Sequence, residues 1–157
     1  MNVSPIFVVP KKDCKFRTIL NLKNLNKFVE HHHFKMETLK YTLTLVSQNC
    51  FCSLDLQDAY ISVHMAPAVQ NLLKFVWKGQ LYKFTAFPNG LASCPTLFTK
   101  LLDPVMAHLH KLGFMSFIFI DDTLLIASFE LECKWHVKAS LQLFERPWFV
   151  AHPVKSV

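Results

Sequence analysis

The sequence predicts an α+β fold in which a mainly antiparallel sheet packs on helices. Three observations carry that reading. Apolar runs of strand length come in pairs separated by turn residues. Two longer stretches carry apolar residues at helical spacing. The order along the chain is hairpin, helix, strand, hairpin, helix, hairpin, helix. The composition supports a packed interior. At 157 residues, 52% hydrophobic and 13% aromatic with fifteen Phe, the chain suits one domain, or one and a half, and excludes a disordered polypeptide.

Residues 5–9 read as a strand, 11–14 as a turn and 15–20 as the returning strand, so the first hairpin carries basic side chains at its tip. Residues 21–28 suit a short helical turn. His31, His32 and His33 lie in a connection; consecutive side chains diverge on any regular backbone, which argues against a shared metal. Residues 37–46 show a weak helical pattern through Leu39, Leu43 and Val46. Residues 51–56 form a strand with Asp55 at its end, and Asp58 is placed to cap a following helical turn. Residues 67–73 suit a helix, and 74–77 with 81–84 a hairpin around Lys78-Gly79-Gln80. Phe87-Pro88-Asn89-Gly90 has strong turn chemistry. Pro95 then opens a long helix. Its stripe is Leu97, Phe98, Leu101, Leu102, Val105, Met106 and Leu109, with a kink expected at Pro104 and a stop at Gly113. Residues 117–126 form a hairpin, and 131–144 a second amphipathic helix guided by Leu131, Trp135, Lys138, Leu141 and Phe144. From Trp148 the chain is strand-like again.

The net charge of +6 is unevenly placed. Between residues 11 and 40, eight basic side chains (Lys11, Lys12, Lys15, Arg17, Lys23, Lys27, Lys35, Lys40) face only Asp13, Glu30 and Glu37. That suits either a polyanion partner such as nucleic acid or a solvated charged face. Only three Gly argue against a glycine-rich phosphate loop. The five cysteines, Cys14, Cys50, Cys52, Cys94 and Cys133, are an odd number without zinc spacing. They read as reduced thiols of an intracellular protein, in the cytoplasm or nucleus. Met1 leads into a polar, Pro-containing start, so no signal peptide is expected. No apolar run reaches about 18 residues without a charge, so no membrane partner is expected.

Two acidic sites carry the chemistry. In Phe117-Ile118-Phe119-Ile120-Asp121-Asp122-Thr123-Leu124-Leu125-Ile126, adjacent carboxylates sit between two apolar strands. At about 4 Å and an effective dielectric near 20, like charges repel by roughly 4 kcal/mol. Solvent at a loop tip can offset that, and so can a divalent cation. The second site, Ser53-Leu54-Asp55-Leu56-Gln57-Asp58-Ala59-Tyr60, also places an acid at a strand end. If the two strands are neighbours, the acids converge at one edge and suit Mg²⁺, which takes one or two carboxylates and completes its shell with water and phosphate. Strand alternation makes neighbours Asp121 and Asp122 face opposite ways, and Asp121 is expected to be the better first ligand.

These segments, with others, resemble the reverse transcriptases of retroviruses and long-terminal-repeat-type retroelements, with the nearest likeness to DIRS-like retrotransposons. Residues 16–27 (Phe16 to Lys27) look like the fingers segment, and residues 33–39 like the DIRS-like continuation. Ser53–Tyr60 looks like the first catalytic motif and Phe87–Pro95 like the template- and nucleotide-contacting motif. Phe119-Ile120-Asp121-Asp122 looks like the signature, and Phe149–Ser156 like the lysine-bearing motif that follows. The motifs keep their order and spacing over nearly the whole chain.

The resemblance implies a fingers–palm fragment whose palm is a ferredoxin-like antiparallel sheet. Residues 1–50 and 66–86 would be fingers-like, and 51–65 and 87–157 palm-like. The thumb, connection and ribonuclease H regions are expected to be absent. It implies an RNA-directed DNA polymerase acting on a primed RNA or DNA template with deoxynucleoside triphosphates. Asp55, Asp121 and Asp122 would hold two Mg²⁺ ions, with Mn²⁺ able to substitute. Lys12 and Arg17 would grip the triphosphate, with Lys11 as a substitute. Tyr60 would be the steric gate against a 2′-hydroxyl. Asn89 and Gly90 would contact the nucleotide, and Lys155 would protonate the leaving pyrophosphate. A second chain could supply the thumb.

Three positions depart from the family pattern: Phe119 for the usual Tyr, Asn89 for Gln, and Pro147-Trp148 for a Leu-Gly pair. Two other readings of the same residues stand beside this one. One is an inactive retroelement relic that at most binds nucleic acid. The other is a two-metal nuclease using the same acids.

Overall fold

The computed structural model describes residues 3–11, 15–30, 50–145 and 149–151. The helical pattern expected at 37–46 and the His31–His33 connection lie outside them, as do Lys12 and Lys155. The chain forms two compact units: Met1–His32 with Tyr60–Pro95, and His33–Ala59 with Thr96–Val157.

The first unit is built on two hairpins. Strands β1 (Ile6–Pro10) and β2 (Phe16–Leu20) pair antiparallel, with Ile6 opposite Leu20 and Pro10 opposite Phe16. Lys11 N–H donates to Lys15 O at 2.7 Å, which closes the ladder at its open end. A single helical turn, α1 (Lys23–Asn26), follows; Asn21 Oδ1 accepts the Lys23 N–H at 3.2 Å, a local bond that starts the turn. Leu20 and Leu22 are buried and anchor this corner.

Helix α2 (Pro67–Gln70) has Pro in its first turn, where no amide donor is needed, and is shorter than the expected 67–73. Strands β4 (Lys74–Trp77) and β5 (Gln80–Lys83) form the second hairpin. Their loop is the two residues Lys78 and Gly79, both with positive φ (50° and 78°). That is the pattern of a type I′ turn, whose twist matches the strands. Gln80, expected in the loop, is therefore the first paired residue, opposite Trp77.

The second unit contains β3 (Cys50–Gln57), α3 (Cys94–Lys111), β6 (Met115–Phe119), β7 (Asp122–Ala127), α4 (Glu130–Glu145) and β8 (Val150–Ala151). Its sheet has the order β6-β7-β3-β8 with every pair antiparallel. Strand, helix, strand, strand, helix, strand in that spatial order is the ferredoxin-like split βαβ expected from the sequence. Alternation along β3 sends Cys52, Leu54 and Leu56 to the buried helix side and leaves Phe51, Ser53, Asp55 and Gln57 on the other face.

Helix α3 ends in a Schellman motif. Phe114 N–H donates to Leu109 O and Gly113 N–H to His110 O, both at 3.0 Å. Leu109 and Phe114 then pack with Met106 in one buried cluster, lined by Ile118 and by Ala139 and Leu143 of α4. The helix runs through Pro104. Both Pro104 and Lys100, whose carbonyl loses its helical donor, are exposed, so water can take that bond. The expected stripe narrows: Phe98, Leu102, Met106 and Leu109 are buried, while Leu97 and Leu101 are not.

Helix α4 corrects its expected face. Leu131 is 74% and Trp135 58% exposed, and the buried side is Cys133, His136, Ser140 and Phe144. Hydrophobicity ranks Leu and Trp first. The face toward the sheet instead takes two small side chains, Cys133 and Ser140, and two rings, Phe144 and His136, the latter stacked on Phe114 at 3.9 Å. Trp135 meets the same Phe114 edge-on at 4.8 Å, from the rim. No helix among the described residues is long and apolar enough to cross a membrane.

Buried thiols give a measurable consequence. Burial, reinforced by the neighbouring Cys133 thiol, pushes Cys52 up to about 12, and burial alone pushes Cys94 up to about 12. Cys50 is exposed. At pH 8, alkylation followed by peptide mapping should label Cys50 well ahead of Cys52, Cys94 and Cys133. In the unfolded chain a thiol ionises near about 8.5. The raised folded values therefore add stability that is complete below that pH and is lost as pH climbs toward 12. Urea midpoints should fall across that window, and less steeply in Cys94→Ala; an equal slope in both would contradict the assignment.

Candidate active site

Register brings two of the three candidate acids face to face, and leaves the third in the adjoining loop. In the β3–β7 ladder Phe51 pairs with Ile126, Ser53 with Leu124, and Asp55 with Asp122. Residues directly opposite in an antiparallel pair share one face, with Cβ atoms about 4.5–5.5 Å apart. Asp55 and Asp122 are thus a like-charge cross-strand pair, an arrangement that destabilises a sheet unless a cation or donor offsets it.

Asp55 is only 8% exposed. The reason is its place in the sheet. β3 does not stop at Asp55 but continues to Gln57, pairing with β8 through Leu56 and Gln57. A strand end was expected there; a central strand is found. Asp58 follows with φ 47°, in a turn and not in the helix it was expected to cap.

Asp121 sits in the two-residue loop between β6 and β7. The ladder puts Asp122, and not Asp121, directly across from Asp55. Ile120, the first loop residue, has φ 59°. Positive φ at that position alone is the type II′ pattern, where Gly is usual, and a β-branched residue there is strained by roughly 1–3 kcal/mol. The loop is held in place by Leu56 N–H donating to Asp121 O at 3.0 Å. Asp121 is therefore tied by its backbone to the residue next to Asp55. Among the described residues, no three His, Cys, Asp or Glu side chains form a ready metal cage. Two hard carboxylates on one face, with a third in the adjoining loop, suit a cation that draws its other ligands from water and substrate phosphate.

The nucleotide-side candidates lie in the first unit. Arg17 is exposed on β2, opposite Val9. Lys11 is half-buried at the ladder's end. The half-buried Tyr60 ring meets Phe87 edge-on, with centroids 6.3 Å apart at 81°, so its orientation is set by a buried neighbour. Asn89 Nδ2 donates to Thr18 O, and Asn89 O accepts the Leu20 N–H, each at 3.3 Å. Gly90 has φ 109°, and a Cβ there would lie 2.6 Å from Leu20 O.

One positioning residue escaped the sequence reading. Asn26, at the end of α1, donates from Nδ2 to Gly90 O at 2.9 Å and accepts the Ala92 N–H on Oδ1 at 3.0 Å. A single amide thus fixes both sides of the Gly90–Ala92 segment. It stands inside the fingers-like segment, but nothing local in the sequence distinguishes it from Asn21 or Asn24.

Residues 9–156 match the profile of the family described as reverse transcriptase (RNA-dependent DNA polymerase). The chain belongs to this family. The transposon Tf2-3 and Tf2-7 polyproteins of Schizosaccharomyces pombe are 23% and 22% identical to it over 156 residues. Each alignment covers 99% of this chain and 12% of the polyprotein, so the chain spans about an eighth of those relatives.

Solved reverse transcriptase structures share the fold. The protease–reverse transcriptase of prototype foamy virus superposes with a TM-score of 0.83 at 22% identity, covering 99% of this chain and 21% of that one. A foamy viral protease–reverse transcriptase in complex with RNA/DNA hybrid superposes at 0.82 and 22% identity, over 99% and 20% of the two chains. One in complex with double-stranded DNA superposes at 0.80 and 20% identity, over 99% and 32%. In this reverse transcriptase chain the signature begins with Phe119, whose ring is exposed at the end of β6, opposite Asp122.

Proposed function

We propose that this chain is the fingers–palm core of an RNA-directed DNA polymerase, built to add deoxynucleotides to a primer 3′-hydroxyl under direction of a template. The observation that carries the reading is the Asp55–Asp122 register pair beside the strained Ile120–Asp121 loop, in a chain of the reverse transcriptase family. We assign residues 1–50 and 66–86 as fingers-like and 51–65 and 87–157 as palm-like. Compactness groups Tyr60–Pro95 with the first unit.

Asp55, Asp121 and Asp122 would hold two Mg²⁺ ions, or Mn²⁺ in their place. Such ions, when bound, neutralise charge on the attacking and leaving oxygens of an in-line phosphoryl transfer. The carboxylates supply hard oxygen ligands of the type these ions prefer. Lys12 and Arg17 grip the triphosphate, with Lys11 as a substitute, and Arg17 offers the planar fork that suits phosphate oxygens. Tyr60 presents a ring that would clash with a 2′-hydroxyl and so favours deoxynucleotides. Asn89 and Gly90 contact the incoming nucleotide, where the lack of a side chain on Gly90 permits close approach. Lys155 gives a proton to the leaving pyrophosphate. The partners are a primed RNA or DNA template and deoxynucleoside triphosphates, in the cytoplasm or nucleus. Support for nucleic-acid partners comes from the foamy viral enzyme, solved with double-stranded DNA and with RNA/DNA hybrid.

Primer extension on an RNA template tests this. The expected result is Mg²⁺-dependent extension by this chain. Retained template binding without product would sink the polymerase reading for the isolated chain. Cleavage of nucleic acid without added nucleotides would turn the same acids into a nuclease site.

A further inference from the structure

The loop that carries Asn89 and Gly90 is tied to the β2–α1 corner by two amides, and their bonds are not equal. Asn89 makes the long ones: its Nδ2 donates to Thr18 O and its carbonyl accepts the Leu20 N–H, each at 3.3 Å. Asn26 makes the short ones: its Nδ2 donates to Gly90 O at 2.9 Å, and its Oδ1 accepts the Ala92 N–H at 3.0 Å. Bonds between N–H and O are commonest near 2.9–3.0 Å and weaken beyond that. Gly90 O can only accept and Ala92 N–H can only donate, so the partners fix which way the Asn26 amide faces. Between them Leu91 is buried, and its carbonyl accepts the Cys94 N–H at 3.1 Å where α3 begins. Three consecutive residues are thus pinned, two of them by one side chain.

The difference decides which amide can be spared. Asn89 is the proposed nucleotide contact, and turning its side chain toward a nucleotide strains a bond to Thr18 that is already long. Neither bond of Asn26 involves the Asn89 side chain, so the segment stays held while Asn89 turns. Strand β2 also carries Arg17, proposed to grip the triphosphate. A nucleotide that touches Arg17 and the loop together needs the two at a fixed separation, and a misplacement of about 1 Å can cost on the order of a hundredfold.

We propose that Asn26 is a positioning residue for nucleotide binding. It holds the Gly90–Ala92 segment against the strand that carries Arg17 and leaves the Asn89 amide free to turn. It acts through the loop backbone and touches no reacting atom. Its role in nucleotide binding rests on the polymerase reading; the two bonds that carry it do not.

Amide hydrogen exchange and steady-state primer extension with deoxythymidine triphosphate, both on the full chain, test this. Asn26→Ala removes the acceptor of the Ala92 N–H and should speed its exchange. It should raise the nucleotide KM by roughly tenfold and leave kcat within about twofold, since two hydrogen bonds are lost away from the reacting atoms. Asn26→Asp keeps an acceptor for Ala92 N–H but offers no donor to Gly90 O. It should keep exchange at Ala92 slow and still raise KM, and it decides the matter if the alanine variant does not fold. Asn89→Ala should raise KM without speeding exchange at Ala92. Asn24→Ala, in the same helical turn, is the control and should match the parent chain in both readouts. A parent-like KM in Asn26→Ala overturns the proposal. So does a kcat that falls as far as KM rises, or exchange at Ala92 that quickens equally in Asn89→Ala. If the parent chain extends no primer, the polymerase reading falls, and titration with deoxythymidine triphosphate and Mg²⁺ reads affinity instead. Weaker binding in Asn26→Ala than in the parent then keeps the positioning role; equal or absent binding removes it.

Discussion

Asp122→Asn should lower nucleotide incorporation at least about a thousandfold while leaving the fold as stable or more so. The two effects have opposite signs because they share one cause. Asp122 lies directly across the ladder from the buried Asp55. Without a cation, two carboxylates in that relation repel, and replacing one by its neutral isostere removes up to about 1 kcal/mol of repulsion. For a chain of this size that is a rise of about 2–4 °C in melting temperature. With Mg²⁺ the comparison inverts. The parent chain should gain melting temperature as Mg²⁺ is added, since binding to the folded state alone stabilises it, and Asp122→Asn should gain much less. Thermal melts with and without Mg²⁺ read this independently of catalysis. Equal responses to Mg²⁺ in the two proteins would remove Asp122 from the metal site.

Gly90→Ala should destabilise the protein by about 2–4 kcal/mol and abolish nucleotide incorporation. A Cβ at that position would lie 2.6 Å from the Leu20 carbonyl oxygen, a backbone atom that cannot rotate away, and the residue holds φ 109°. Relief requires the loop to lift from β2. That movement would stretch the bonds from Asn89 to Thr18 and Leu20 and from Asn26 to Gly90 and Ala92. Gly79→Ala is the control. It also has positive φ but meets nothing within 4 Å, so only the backbone strain of about 1 kcal/mol applies. Urea denaturation of the two variants should separate them clearly. Equal midpoints would mean that the close approach to Leu20 is not what requires glycine at position 90.

The strands and the acidic residues were legible because their signals are local, while the exact turn residues were not: Gln80 and Asp122 were read into loops and are paired strand residues. Alternation along 50–57 and 122–127 sorts side chains between two faces whatever the partner strand is. Adjacent carboxylates at Asp121 and Asp122 are conspicuous in an apolar hairpin for the same local reason. The buried face of α4 was not legible. Periodicity locates a helix, but Cys133, His136 and Ser140 won the buried side over Leu131 and Trp135 because of what they meet on the sheet and on Phe114. Asn26 was equally hidden, since its two bonds reach a loop more than sixty residues later in the chain.

By itself, then, the sequence determined the α+β class, the position of each hairpin and which carboxylates were candidates. Only the tertiary structure decided which of them face each other. The positive φ of Ile120 sets a two-residue loop, that loop sets the β6–β7 register, and pairing with β3 then places Asp122 opposite Asp55. A shift of one residue would have moved that carboxylate to the other face of the sheet. Register is a property of two strands together, and neither strand's own residues contain it.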